Sequence, residues 1–187
     1  MTAPAKRTLR TIAAERTRAK LIETGLELAE ELGLEGLSVN AVVAAAGVSK
    51  GTFFHHFPDR TAYLVALHRR FHDALADEFW SAVEGMAPGR ERLAVAARTY
   101  LDGCLRDRGV KALLLEARGH RPIADEVLAR NRRNVDIVTA DFEAIGRRHP
   151  RLSARLWVAA TAECALIELE LGRADSETRE ALDAFVS

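Results

Sequence analysis

The 187 residues set 27 Lys and Arg against 27 Asp and Glu, so the molecule as a whole is no polycation. Any attraction to nucleic acid must come from local asymmetry of charge. A hydrophobic share of 48% beside 29% charged residues is ordinary for a soluble chain that buries a sizeable core as one domain or two small ones. Residues 1–20 lack the apolar run of a secretory signal. The longest apolar stretch, Leu156 to Leu171, is interrupted by Glu163, Glu168 and Glu170, so no membrane span is expected. Cys104 and Cys164 fall on different predicted helices and read as buried small hydrophobes, which suits a cytoplasmic setting.

The chain opens with a basic arm: Lys6, Arg7, Arg10, Arg16, Arg18 and Lys20 face only Glu15. Glu23, Glu27, Glu30, Glu31 and Glu35 offset it downstream, so the basic end is the one suited to phosphates. Periodicity predicts a first helix over about Glu15–Leu32, with Leu21, Ile22, Gly25, Leu26, Ala29 and Leu32 on one face. Ser38 then caps a second helix through Val39, Val42 and Val43, and Gly47 stops it. Val48 plugs the angle and Ser49 caps a third helix, whose first turn is Lys50-Gly51-Thr52. Free N–H groups there attract phosphate, and Gly51 keeps the surface low for close approach to a groove. Phe53 and Phe57, four apart, are expected to pack inward on helix 1. Pro58 ends the helix, and Asp59 caps the next. Two short helices joined by a tight turn, the second polar and basic at its start, are the build of a helix-turn-helix.

The run Ala46-Gly47-Val48-Ser49-Lys50-Gly51-Thr52-Phe53-Phe54-His55-His56-Phe57-Pro58-Asp59-Arg60 resembles the TetR family of bacterial regulators. The family pattern is close to A-G-V-S-x-G-x-hydrophobic-Tyr-x-His/Tyr-F-x-x-K, and the resemblance covers roughly the first third of the chain. Phe54 stands where the family usually has a phosphate-bonding tyrosine, and losing that hydroxyl removes about 0.5–1.5 kcal/mol of contact. Arg60 replaces the usual lysine and keeps a phosphate donor with fork geometry. The same residues contain G-x-S-x-G, Gly47 to Gly51, the nucleophile elbow of hydrolases. That elbow needs a preceding strand. An alanine-rich helix precedes it here, so no catalytic residue is expected and the enzyme reading falls behind.

Helix 4 is expected from about Arg60 to Val83, with Leu64, Leu67, Phe71 and Leu75 inward, and is long enough to join a DNA-binding head to a second core. Gly85, Pro88 and Gly89 mark the next turn. Helix 5 follows over about Glu91–Arg106, with Leu93, Ala97, Tyr100, Leu101, Cys104 and Leu105 inward. A short helix follows through Val110, Leu113, Leu114 and Ala117. Pro122 suits the first turn of helix 7, which runs to about Arg148. Helix 8 covers about Leu152–Leu171, and a last one about Glu177–Val186.

Several polar groups on these helices have two readings. Asn131 and Asn134 project within the apolar stripe of helix 7 and need partners, from a ligand cavity or a neighbouring helix end. Helix 8 is apolar nearly all round, so it is covered twice, by a second subunit or as the central helix of a monomer. Glu163 on it is a candidate for a pocket or an interface. His68 and His72 are four apart, a metal-ligand spacing, but no Asp, Glu or Cys completes the set. Solvated or singly bonded histidines are the favoured reading, and no metal or cofactor is expected. Glu116, Arg118, His120 and Arg121 read as a charged surface turn, with a hinge or pocket rim as the alternative.

The sum is an all-α chain of about nine helices. Residues 1–58 are the expected helix-turn-helix head with its basic arm, and residues 59–187 an effector-binding and dimerisation bundle. The expected DNA contacts are Ser38, Asn40, Ser49, Lys50, Gly51, Thr52, Phe54, His55, His56 and Arg60. Among these, Lys50, Thr52 and His55 are expected at base edges, and Ser38 and Arg60 at phosphates. The resemblance implies a homodimer through the C-terminal helices on a near-palindromic double-stranded operator, released by a small-molecule effector. Expected pocket residues are Leu67, Phe71, Tyr100, Cys104, Leu114, Asn131, Asn134, Val138, Trp157 and Glu163, a set suited to a largely apolar ligand with a polar or charged handle. The rivals are a DNA-binding dimer without effector, and an activator.

Overall fold

The computed structural model describes residues 9–186. Lys6 and Arg7 of the basic arm therefore lie outside the described residues. Among those described, the chain forms nine α-helices and no strand. They are α1 (Leu9–Gly36), α2 (Val39–Ala46), α3 (Lys50–His56), α4 (Arg60–Ala82), α5 (Arg90–Arg106), α6 (Arg108–Glu116), α7 (Arg121–Ala144), α8 (Pro150–Leu171) and α9 (Ser176–Ala184). A single 3-10 turn, Ala117–Gly119, links α6 to α7. Among the described residues, no helix is long and apolar enough to cross a membrane.

The capping residues set the boundaries. Ser38 accepts from the Ala41 N–H at 3.2 Å, Ser49 from Thr52 at 3.1 Å, and Asp59 from Ala62 at 2.7 Å. Gly47 ends α2 in the left-handed region at φ 64°, where a Cβ would be strained. Two ends differ from expectation. α1 starts at Leu9, earlier than Glu15, and its last turn is set off by a kink at Gly33, φ 62°. α7 stops at Ala144 because the chain turns at Gly146, φ 75°, so it falls short of Arg148.

The first three helices close around an aromatic cluster completed by α4. Tyr63 is buried, its ring centroid 5.0 Å from those of both Phe53 and Phe57. Its hydroxyl donates to the Leu21 carbonyl at 2.6 Å. Gly25 makes room for it: a Cβ there would stand 1.9 Å from the Tyr63 oxygen. Phe53 and Phe57 thus pack inward as the spacing predicts, but around α4 as well as α1.

Buried apolar residues continue without a break from this cluster into the bundle, from Leu21 to Val186. One polar contact pins α1 to the bundle, and two more lock helices within the bundle. Glu30 of α1 accepts from the backbone N–H groups of Gly109 and Val110 at the start of α6, at 3.1 and 3.3 Å. There Gly109 lies so close that a Cβ would sit 2.6 Å from the Glu30 Cα. Arg69 of α4 puts Nε and Nη2 on the Glu126 carboxylate of α7, at 3.0 and 2.7 Å. Arg92 of α5 grips the buried Asp141 of α7 with two bonds, at 2.7 and 2.6 Å. Removing one partner from a buried pair of this kind strands a charge and costs about 3–5 kcal/mol.

Candidate nucleic-acid interface and effector cavity

α3 divides by face. Phe53 is wholly buried, while Lys50, Gly51, Phe54 and His55 are exposed and Thr52 is half-buried. Asn40 stands exposed on α2. The outward face therefore offers an ammonium, a hydroxyl, an imidazole and an amide, the groups that read base edges and phosphates. Ser49 is committed locally: its Oγ also meets the Thr52 Oγ1 at 2.9 Å. It stands between two helices, with no strand before it, so the G-x-S-x-G spacing carries no nucleophile here. His56 leans toward the core, half-buried. Burial, then His55 and Arg18, lowers its pKa. Arg18 of α1 lies over the Phe57 ring at 5.0 Å and brings a cation to the same side.

Arg60 does not extend freely toward solvent. Its Nε donates to the Leu37 carbonyl at 3.1 Å, and its Nη2 to the Leu34 carbonyl. The guanidinium closes the α1–α2 connection onto α4, so the expected phosphate donor is a brace in this structure. Ser38 Oγ accepts in the α2 cap and keeps its own O–H donor.

A second site opens between α4, α5, α7 and α8. It holds about 970 Å³ of atom-free space, its open mouth included. Of the ten expected pocket residues, Tyr100, Asn131, Asn134, Val138 and Trp157 line it. Leu67, Phe71, Cys104 and Leu114 do not: all four are buried in the core. The apolar stripe of α4 has two edges. Leu64, Leu67 and Phe71 turn into the core, and the cavity takes the neighbouring edge of His68, His72, Leu75 and Phe79. Glu163 also misses the cavity and stands exposed on α8. It shares that outer face with Leu152 and Leu156, which are 54% and 53% exposed.

The largest departure from the sequence reading concerns His68 and His72. His68 is not a solvated histidine, and His72 is half-buried. His68 is 2% exposed, their rings lie 4.4 Å apart, and both line the cavity. Burial chiefly, then Arg130, pushes the His68 imidazolium down to about 4. Burial and His68 push His72 well down too. No group of three or more His, Cys, Asp or Glu that could hold a metal is formed among the described residues. Arg118 and Arg130 also line the space, which favours the pocket-rim reading of the Glu116–Arg121 turn for Arg118. Behind Tyr100 lies buried Lys111, its Nζ 2.9 Å from the tyrosine oxygen. The cavity residues of α4 share one signal, the 68-72-75-79 spacing, which a face assigned to the core conceals; Arg130 on α7 and Lys111 on α6 carry no comparable signal.

The sequence profile of bacterial regulatory proteins of the tetR family matches residues 21–67. These residues include α2, α3, their caps and the Tyr63 cluster. The transcriptional regulator UidR of Escherichia coli strain K12 is 23% identical over 124 residues, 66% of this chain and 56% of UidR. The regulator CymR of Pseudomonas putida is 31% identical over 103 residues, 53% of this chain and 50% of CymR. The chain thus spans about half the length of the curated relatives it matches. A transcriptional regulator from Rhodococcus sp. Rha1 superposes with a TM-score of 0.76 at 24% identity, over 90% of this chain and 93% of its own. The multidrug binding protein EbrR, solved with imidazole, does so with a TM-score of 0.69 at 26% identity, over 91% and 94%. The helix-turn-helix face, the nine-helix fold and these relatives together support membership of the TetR family of bacterial regulatory proteins.

Proposed function

We propose that the protein is a homodimeric repressor that holds a near-palindromic DNA operator and leaves it when a small molecule enters the cavity. The observation that carries this reading is the placement of α4. One helix puts Tyr63 and Leu64 into the core of the head and His68, His72, Leu75 and Phe79 on the cavity wall. A ligand that prefers one tilt of α4 therefore prefers one spacing of two paired heads. The Glu30 clamp on α6 offers a second mechanical link from bundle to head. Residues 1–58 serve as the DNA-binding head and 59–187 as the effector and dimer region, with α4 shared in function.

Lys50, Thr52 and His55 read base edges, while Asn40, Gly51 and the α3 N-terminus approach the backbone. Two heads about 34–36 Å apart, or a multiple, read the two half-sites. The outer face of α8, with exposed Leu152 and Leu156, supplies the dimer surface, and Glu163 lies at that surface. The test is selection of bound duplexes from a random pool, with sedimentation of the free protein beside it. Inverted-repeat half-sites and a dimer are the expected results; bound duplexes without a shared sequence would refute operator recognition. A Leu152→Glu/Leu156→Glu variant is expected to sediment as a folded monomer and to lose operator binding by at least about tenfold, since charges buried in such an interface cost several kcal/mol.

A further inference from the structure

The described residues hold two buried side-chain nitrogens without a hydrogen-bond partner, His68 Nδ1 and Arg130 Nε. Both residues line the same cavity. Buried donors without partners are costly, and native proteins keep few of them. Arg130 donates Nη2 to Asp73 Oδ1 at 2.6 Å, while its Nε has no partner. An arginine Nε–H can only donate, so whatever satisfies it must be an acceptor.

The charged side chains that line the cavity are all of one sign. No Asp or Glu lines the cavity, whereas Arg118 and Arg130 do. The nearby carboxylates are already engaged: Glu126 by Arg69 and Arg133, Asp73 by Arg130. Buried Lys111 adds a cation held against the Tyr100 hydroxyl and ring with the Cys104 thiol beside it, and no carboxylate is bonded to it among the described residues. The remaining wall is apolar, and includes Leu75, Phe79, Val138 and both tryptophans of the chain, Trp80 and Trp157.

We propose that this cavity takes a monocarboxylate on an apolar body, its carboxylate oxygens accepting from Arg130 Nε and His68 with Arg118 and Lys111 supplying the surrounding positive field. The inference rests on reading the cavity as the effector site, and gives that effector its chemical class. A carboxylate provides two acceptor oxygens in one plane, which suits two unpartnered nitrogens on adjacent helices. A neutral amide of the same shape offers one weaker acceptor, and an amine offers none.

Because the two tryptophans both line the cavity, intrinsic fluorescence reports on it directly. Octanoate and 4-phenylbutyrate are titrated beside octanamide, 4-phenylbutyramide and octylamine, using the wild type and Arg130→Gln and His68→Gln variants of confirmed melting temperature. The acids are expected to bind at least about tenfold more tightly than their amides, one charge-assisted bond's worth, and the amine not at all. Each variant is expected to erase the preference for acid while leaving amide binding within about twofold. Amide or amine affinity equal to that of the acid, a preference retained in both variants, or no saturable acid binding at millimolar concentration would overturn the assignment. Operator release is followed in the same samples. Acid that binds without releasing DNA preserves the carboxylate site and refutes its role as effector; release by amide or amine alone preserves the effector reading and refutes the carboxylate.

Discussion

Replacing Phe53 with alanine is expected to destabilise the head by about 3–5 kcal/mol, while the same change at its neighbour Phe54 stays within about 0.5–1 kcal/mol. The contrast follows from one turn of α3. Phe53 is 0% exposed and meets Phe57 and Tyr63 at centroid distances of 5.4 and 5.0 Å. Phe54 is 50% exposed. Truncating Phe53 removes the ring that sets α3 against α4 and leaves a cavity among aromatics that Gly25 cannot fill. The loss falls on the recognition helix, so DNA binding should fail with it even where the bundle stays folded. Denaturant melts followed by helicity, with DNA binding measured beside them, check this. Equal losses for the two variants would mean that α3 is not seated as described.

Acid should weaken the protein through His68. Burial, with Arg130 next, Glu126 opposing, and Lys111 and Arg118 adding, lowers its folded pKa to about 4 from an unfolded value of 6.5. Between these values the unfolded chain binds a proton that the folded chain refuses. Stability is therefore intact above pH 6.5 and falls as pH drops toward 4, by about 2–3 kcal/mol at one proton and 1.36 kcal/mol per pKa unit. His72, pushed down chiefly by its own burial and by His68, adds in the same direction. Denaturant midpoints at about pH 7 and pH 4.5 should converge in a His68→Gln variant relative to wild type. Parallel losses in both would show that carboxylates alone govern the acid response. The same depression keeps both imidazoles neutral near pH 7, so the positive field of the cavity comes from Arg118, Arg130 and Lys111.

What was legible in the sequence was what local chemistry decides. Ser38, Ser49 and Asp59 cap their helices, and Gly47 turns the chain, because each acts on backbone within a few residues. The inward pair Phe53 and Phe57 was readable for the same reason. Azimuth between helices was not. A stripe at Leu64, Leu67 and Phe71 says that α4 is buried, but not that its neighbouring edge, from His68 to Phe79, faces a cavity. Arg60 read as a phosphate donor because its partners are carbonyls 23 and 26 residues earlier. Glu163 read as a pocket residue because helix 8 is apolar on both sides, and only packing decides which side faces out. Tyr63 was missed because its place depends on the gap at Gly25, a contact across 38 residues.

The central claim is that the outward face of α3 reads DNA sequence under control of the bundle. The most direct measurement is an anisotropy titration of the selected duplex at several salt concentrations, with wild type and a Lys50→Ala/Thr52→Ala/His55→Ala variant side by side. Three base or phosphate contacts at roughly 1–3 kcal/mol each predict at least about a hundredfold loss in the variant, with a shallower salt slope and an unchanged melting temperature. Equal affinity of the two proteins, or wild-type binding that is the same on every duplex, would contradict it.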